Sequence, residues 1–331
     1  MAKFNFKRAV LAIGGNAVER DGDIFSSAAI EDAASFIRPL SEGRKLAIVH
    51  GNGPQFGFLS ERYERMELYD KTAADVIKDS QDAIGSLLQW KLLEVDSSSI
   101  RPIAIDNTYV VIDPTDPSFE NPVKGVGTWR YGSDFFEANN MSYTSHPIED
   151  DFFREVVSSP KPLEVVDINR IQQAVDSGLI IICGGGGGIP VFKNQSFDFD
   201  FQRKNCSRYN YYTIAKDRMV IDKDATAALI ADGINADILI ILTDVPGFID
   251  GYGTSNARIV REMSSNEAFE RIYDNDNGEG SMNPKLAAAA SFVGARPERK
   301  AIITSLVESG RLATGDLSEA TLIKPSKEVA A

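Results

Sequence analysis

The chain reads as an α/β protein: a largely parallel sheet with helices on both faces. Three observations predict this. Apolar strand runs alternate with helical patterns along the 331 residues, the runs are continuous rather than alternating, and glycine-rich turns follow several of them.

The first run, Ala9-Val10-Leu11-Ala12-Ile13, predicts a buried strand over about 8–13 that ends in Gly14-Gly15-Asn16. Glycine tolerates positive φ and has no Cβ to hold an anion away from backbone N–H groups, while a helix starting nearby would aim its positive end at the same spot. The tripeptide is a candidate phosphate site, though a Gly-Gly after a strand also reads as a plain turn. A helical pattern over about 27–41 leads to a second strand at 45–49, then to His50-Gly51-Asn52-Gly53-Pro54-Gln55 and a helix over about 54–67. The pattern over 71–95 predicts a long helix. Its Val76, Ala83, Leu87, Leu88, Leu92 and Val95 form an apolar stripe expected to be core, and Asp70 or Thr72 is placed to cap it.

After a short strand at about 102–105 the periodicity breaks between about 112 and 160, at Pro114, Pro117, Pro122, Pro147 and Pro160. The Phe, Tyr and Trp content of this stretch favours an ordered lid over a disordered linker. Lys124 within it reads first as a solvated loop lysine and second as a group that swings over an active site. A helix over about 163–177 and a strand over 179–183 lead into the glycine run Gly184 to Gly188. The stretch 192–219 then alternates apolar and acidic residues in Phe197-Asp-Phe-Asp-Phe, as in a hairpin or flap. Aromatic and basic residues interleave from Arg203 to Tyr212, but acidic surroundings disfavour single-strand binding.

A helix over 223–233, a strand over 237–243, a helix over 284–295 and a strand over 300–304 complete the pattern. Gly280-Ser281-Met282-Asn283-Pro284-Lys285 opens the last helix with proline in its first turn, where the missing N–H costs nothing, and sets a lysine beside the helix start. In α/β folds such corners converge at the carboxyl ends of the strands, where ligands bind, so polyphosphate is expected there.

Composition narrows the function. Hydrophobic residues at 43% and charged residues at 25% describe an ordinary globular chain, and no apolar stretch approaches the roughly 18 to 20 residues that span a bilayer. The basic start runs at once into the first strand and does not read as a cleaved signal, so a cytoplasmic protein is expected. Cys183 and Cys206 offer neither a disulfide framework nor metal-ligand spacing. Two histidines, His50 and His146, leave little material for a metal site or a Ser-His-Asp triad; His50 reads as a strand-end turn residue. A net charge of −13 without a basic cluster excludes nucleic acid as a natural partner. An anionic substrate therefore depends on a few lysines concentrated locally. No internal repeat is present.

Taken in order, Ala12-Ile-Gly-Gly-Asn-Ala, His50-Gly-Asn-Gly-Pro-Gln, Gly185-Gly-Gly-Gly-Ile-Pro-Val, Val220-Ile-Asp-Lys-Asp and Gly280-Ser-Met-Asn-Pro-Lys resemble the carbamate kinases of the amino acid kinase superfamily, and the likeness spans nearly the whole chain. The resemblance implies a single domain over 1–331: a three-layer αβα sandwich with an open, mostly parallel sheet, a lid subdomain inserted at about 112–160 and a long flap at about 192–219. It implies reversible phosphoryl transfer between ATP and carbamate, commonly run from carbamoyl phosphate toward ATP in arginine fermentation, with ATP/ADP and Mg²⁺ as cofactors and a homodimer as the assembly.

By the same resemblance Lys223 is held at the transferring phosphate, Asp224 orients the cationic groups and Lys124 comes from the lid. Gly14, Gly15, Asn16, Gly51, Asn52 and Gly53 surround the transferred phosphoryl and the carbamate. Lys285, Met282, Thr243, Asp244 and Val245 lie on the nucleotide side, and no residue is assigned as a metal ligand. Read from the residues alone, Lys223 and Asp224 are equally a helix-start pair on a solvated face. Phosphoryl transfer asks mainly for alignment and charge neutralisation, which lysines and backbone N–H groups supply.

The chain also departs from the family pattern. Lys78, Asp79 and Asp82 stand in a segment, 75–86, where the family has small residues, so close packing there is expected to differ; the lid reads Lys124-Gly-Val-Gly-Thr-Trp; and the flap is long. Three readings follow: a carbamate kinase, an amino acid kinase with another small acceptor, and a silent nucleotide-binding homologue, which the three retained lysines disfavour.

Overall fold

The computed structural model describes residues 6–15, 18–20, 22–68, 71–95, 101–193, 212–215, 218–273 and 282–326. Asn16, Asp70, Cys206, Gly280, Ser281 and the Phe197 to Phe201 stretch lie outside these. In chain order the first elements are β1 (Arg8–Ile13), α1 (Ser27–Ser41), β2 (Lys45–His50), α2 (Gly53–Arg65), α3 (Ala73–Val95), β3 (Ile103–Ile105) and β4 (Tyr109–Ile112). Next come β5 (Lys124–Gly125), β6 (Arg130–Tyr131), α4 (Asp134–Ala138), β7 (Tyr143–Ser145) and β8 (Phe152–Val157). The chain returns through β9 (Pro162–Val165), α5 (Ile168–Asp176), β10 (Ile180–Ile182), β11 (Ile189–Lys193), β12 (Tyr212–Ile214), α6 (Lys223–Gly233) and β13 (Ile238–Thr243). It ends with β14 (Ile249–Asp250), β15 (Arg258–Ile259), β16 (Glu262–Ser264), α7 (Ser265–Tyr273), α8 (Met282–Gly294), β17 (Lys300–Ser305), α9 (Ser309–Leu312) and β18 (Thr321–Lys324).

Eight strands form one sheet in the order β16-β18-β17-β13-β1-β2-β10-β3, parallel throughout except where β18 meets β17. The continuous apolar runs now have their reason. Ala9, Leu11, Ile13, Leu46 and Ile48 face one core with α1 and α3, while Val10, Ala12, Ala47 and Val49 face a second core with α5, α6 and α8. A strand covered on both faces has no solvent side to mark with polar residues. The result is the expected three-layer αβα sandwich with a mostly parallel sheet. Among the described residues no helix is long and apolar enough to cross a membrane.

Local signals set the helix starts. Thr72, one of the two expected caps, begins α3 through a reciprocal cap: its Oγ1 accepts from the Asp75 N–H at 3.3 Å and its own N–H donates to Asp75 Oδ2 at 2.8 Å. Asp222 caps α6 by accepting from the N–H groups of Asp224 and Ala225 at 2.9 and 3.1 Å.

One predicted element is corrected. The helix expected from 163 begins only at Ile168, because Pro162–Val165 pairs antiparallel with β4 and Asp167 takes a left-handed φ of 57° that separates strand from helix. β-branched Val165 and Val166 suit the strand better than the helix. Within the Pro-rich stretch, β8 is the central strand, pairing with β5, β6 and β7. Trp129 lies between His146 at 4.6 Å and the Arg154 guanidinium at 4.4 Å, which orders the interior of this small sheet. Of the expected flap, β11 and β12 pair antiparallel, as in a hairpin; the residues between them lie outside the described part.

Candidate active site

The carboxyl ends of β1, β2 and β10 bring three glycine turns together. Gly51 donates to the Ile13 carbonyl at 2.9 Å, and a methyl placed on Gly51 would sit 2.8 Å from the Gly15 nitrogen. The first two turns touch backbone to backbone, which any side chain would prevent. In the third, Gly184, Gly186, Gly187 and Gly188 all take positive φ, from 60° to 97°, a path that other residues follow only with strain. A Cβ on Gly186 would overlap the Asn52 carboxamide, so the second and third turns also press together.

Asn52 and Gly53 open α2, yet the Asn52 side chain does not cap it. It donates instead to Ser80 Oγ at 2.7 Å. The first N–H groups of α2 are left for another acceptor. His50, at the end of β2, is fully buried beneath Gly185, and that burial lowers its pKa to about 4, against a raising hydrogen bond with Gly51 and with a smaller lowering push from Lys223.

Beside the glycine turns, α6 and α8 gather the charges. Asp224 lies between two lysines: Lys223 Nζ contacts Oδ1, and Lys285 Nζ stands 3.5 Å from Oδ2. All three are well buried, with side-chain exposures of 13% for Lys223, 9% for Lys285 and 3% for Asp224. Lys124 reaches in from β5 and pairs with Asp222 Oδ2 at 2.9 Å. Burial lowers the Lys285 pKa, and Asp224 opposes it. Burial would raise Asp222, but Lys124, then Lys223 and the Ala225 N–H, pull it down to about 2. Three ammonium groups thus face two carboxylates, an excess of one positive charge in a chain that is negative overall.

The remaining residues singled out in the sequence lie along the same edge. Gly14 approaches the Leu242 carbonyl of β13, whose last residue, Thr243, is half-buried and precedes exposed Asp244 and half-buried Val245. Met282 opens α8 one turn before Lys285 and is partly buried against the core. The structure therefore brings Lys124, Lys223, Asp224 and Lys285 together with the glycine turns. Asn16 alone among the expected site residues is outside the described part.

Several residues escaped the sequence reading. Asp222 stood in the Val220-Ile-Asp-Lys-Asp motif without a role of its own, and the structure gives it two, the α6 cap and the Lys124 pair. Thr226 Oγ1 donates to the Gly187 carbonyl at 2.7 Å, and Thr108 Oγ1 accepts from the Gly184 N–H at 2.8 Å. Both hold the glycine turn across large sequence distances, and only the fold shows such pairs.

An open α/β sheet whose carboxyl edge joins glycine turns to a set of lysines has the parts a phosphotransferase needs, since anion-binding backbone and fixed cations together suit a transferring phosphoryl group. Residues 7–305 match the family model described as the amino acid kinase family. The chain is 34% identical over 307 residues to carbamate kinase 2 of Enterococcus faecalis, covering 90% of this chain and 93% of that protein. It is 33% identical over 310 residues to the carbamate kinase-like protein YqeA of Escherichia coli, covering 91% and 94%. Carbamate kinase from Giardia lamblia bound to AMP-PNP superposes with a TM-score of 0.78 at 28% identity, covering 97% of this chain and 99% of that one. The chain belongs to the carbamate kinase family, within the amino acid kinases, and is an ATP-dependent kinase.

Proposed function

We propose that this chain is a carbamate kinase that transfers a phosphoryl group reversibly between ATP and carbamate. The observation that carries the reading is the Lys223–Asp224–Lys285 cluster, joined by Lys124 of the lid, at the glycine-lined carboxyl edge. Lys223 neutralises the phosphoryl group in transit. Asp224 holds Lys223 and Lys285 apart and aimed, and Lys285 takes the nucleotide side with Met282 and the Thr243 to Val245 turn. Gly14, Gly15, Asn16, Gly51, Asn52 and Gly53 receive the carbamate and the transferred group through backbone N–H groups and the Asn52 amide. Lys124 completes the charge when the lid is seated.

No covalent intermediate is needed. The carbamate oxygen attacks the terminal phosphorus in line as the bond to the bridging oxygen of ADP breaks, and in reverse a terminal oxygen of ADP attacks the phosphorus of carbamoyl phosphate as its bond to the carbamate oxygen breaks and carbamate leaves. The enzyme contributes alignment and positive charge where negative charge builds. Among the described residues no group of three or more His, Cys, Asp or Glu is placed to hold a metal ion. Mg²⁺ is proposed to arrive on the nucleotide phosphates with much of its water, and when bound supplies further neutralisation of phosphate charge.

The direction proposed is from carbamoyl phosphate toward ATP, in arginine catabolism, by a cytoplasmic homodimer whose single domain carries the 124–157 sheet as a lid. A second reading, another small acceptor, draws on the Lys78, Asp79 and Asp82 side chains of α3: Lys78 pairs with Asp82 at 3.0 Å, and Asp82 accepts from Asn107 at 2.9 Å, a charged arrangement close to the β3–β4 turn. ATP formation from ADP and carbamoyl phosphate separates the two.

A further inference from the structure

The same α3 segment carries two buried polar side chains outside the lysine cluster and the glycine turns. Ser80 is 0% exposed and Gln81 2%. Neither turns to the core; each reaches a different glycine turn. Ser80 Oγ donates its one proton to the Ile77 carbonyl at 2.7 Å. What it offers Asn52 is therefore a lone pair, and the Asn52 carboxamide must point its NH₂ group at α3. Oδ1 and the second N–H of that amide remain for other partners.

Gln81 uses both ends of its carboxamide. Nε2 donates to the Gly185 carbonyl at 2.8 Å, and Oε1 accepts from the Thr108 N–H at 3.1 Å. Thr108 in turn accepts from the Gly184 N–H. The turn at Gly184 to Gly188 has no side chains of its own with which to fix its path. Its conformation depends on such outside bonds, and a glycine backbone has the most freedom to lose.

We propose that Ser80 and Gln81 are positioning residues of the acceptor side: Ser80 fixes the orientation of Asn52, and Gln81 fixes the Gly184–Gly188 turn against it. The proposal rests on the reading of Asn52 and the glycine turns as the place of the acceptor. One helix then sets the spacing between two turns that meet at Gly186 and Asn52.

The test compares Ser80→Ala and Gln81→Leu with the parent by amide hydrogen exchange and by steady-state ATP formation. In Gln81→Leu, exchange across 184–188 rises by about tenfold or more, the scale of one lost buried hydrogen bond, while exchange in β1 and β13 is unchanged. KM for carbamoyl phosphate rises, or kcat falls, by about tenfold in both variants, with KM for ADP within about twofold of the parent. In Ser80→Ala the 184–188 exchange stays at the parental level, because only Asn52 is released. Unchanged exchange in Gln81→Leu, or ADP and carbamoyl phosphate constants that drift together with melting temperature, would overturn the proposal. A parent that makes no ATP removes the acceptor reading instead, and the exchange result then decides by itself whether Gln81 holds the turn.

Discussion

Asp222 divides its two oxygens between two tasks: Oδ1 caps α6 and Oδ2 holds Lys124. Asparagine keeps an acceptor for the cap but loses the charge. Asp222→Asn should thus keep near-parental stability, since Asn caps about as well as Asp, while Asp222→Ala loses about 1 kcal/mol with the cap. Both should lower kcat/KM for carbamoyl phosphate about tenfold or more by freeing Lys124; thermal melts beside steady-state kinetics check this, and a kinetic loss confined to the alanine variant would contradict it. His50 gives a pH prediction. Its folded pKa of about 4 lies below the ordinary 6.5, so between these values the unfolded chain binds more protons and stability falls as pH falls. The loss starts near pH 6.5, levels off near 4 and amounts to about 3 kcal/mol. Denaturant titrations across that window should show a slope that His50→Gln removes. The sequence offered His50 as a turn residue and Asp222 only as a motif member; their distant partners, Gly185 and Lys124, stand 135 and 98 positions away and left no local mark.

Helix α2 is the seat of the small sheet formed by β5 to β8, the proposed lid. Gly57, Glu61 and Glu64 recur at helical spacing along one face. Gly57 lies so close to Gly127 that a Cβ would overlap its backbone, Glu61 pairs with Arg130 at 2.7 Å, and Arg218 bridges Glu64 and Glu155 of β8. The three ion pairs are partly exposed and contribute little by themselves; the glycine contact sets the distance. Gly57→Ala should therefore lift the lid without unfolding the sheet. Limited proteolysis within 124–157 should quicken, with kcat/KM down about tenfold and global stability near parental, since alanine also suits a helix better than glycine. Parental cleavage and kinetics would contradict the seat. Among the elements, β1, β2, β10, β13 and β17 were legible because uninterrupted apolar runs admit little else. β9 was not: Pro162–Val165 carries the residues of a strand but borders a true helix, and only its partner β4 decides the boundary.

At the scale of the whole molecule, two cores on either side of one sheet position everything else. The glycine turns, α6 and α8 meet at one edge because parallel strands all end there, and this convergence was legible from the order of glycine motifs after strands. The pairing of Lys223 and Lys285 through Asp224 was legible only through family resemblance, as 62 residues separate the two lysines. The central claim is that this cluster moves a phosphoryl group between carbamoyl phosphate and ADP. The direct measurement is ATP formation from ADP, Mg²⁺ and carbamoyl phosphate by the purified protein, with Lys223→Ala in parallel. The parent should form ATP rapidly and the variant should lose about a thousandfold or more, roughly 4 kcal/mol of barrier. A folded, ADP-binding parent that forms no ATP, or a variant as fast as the parent, would contradict it.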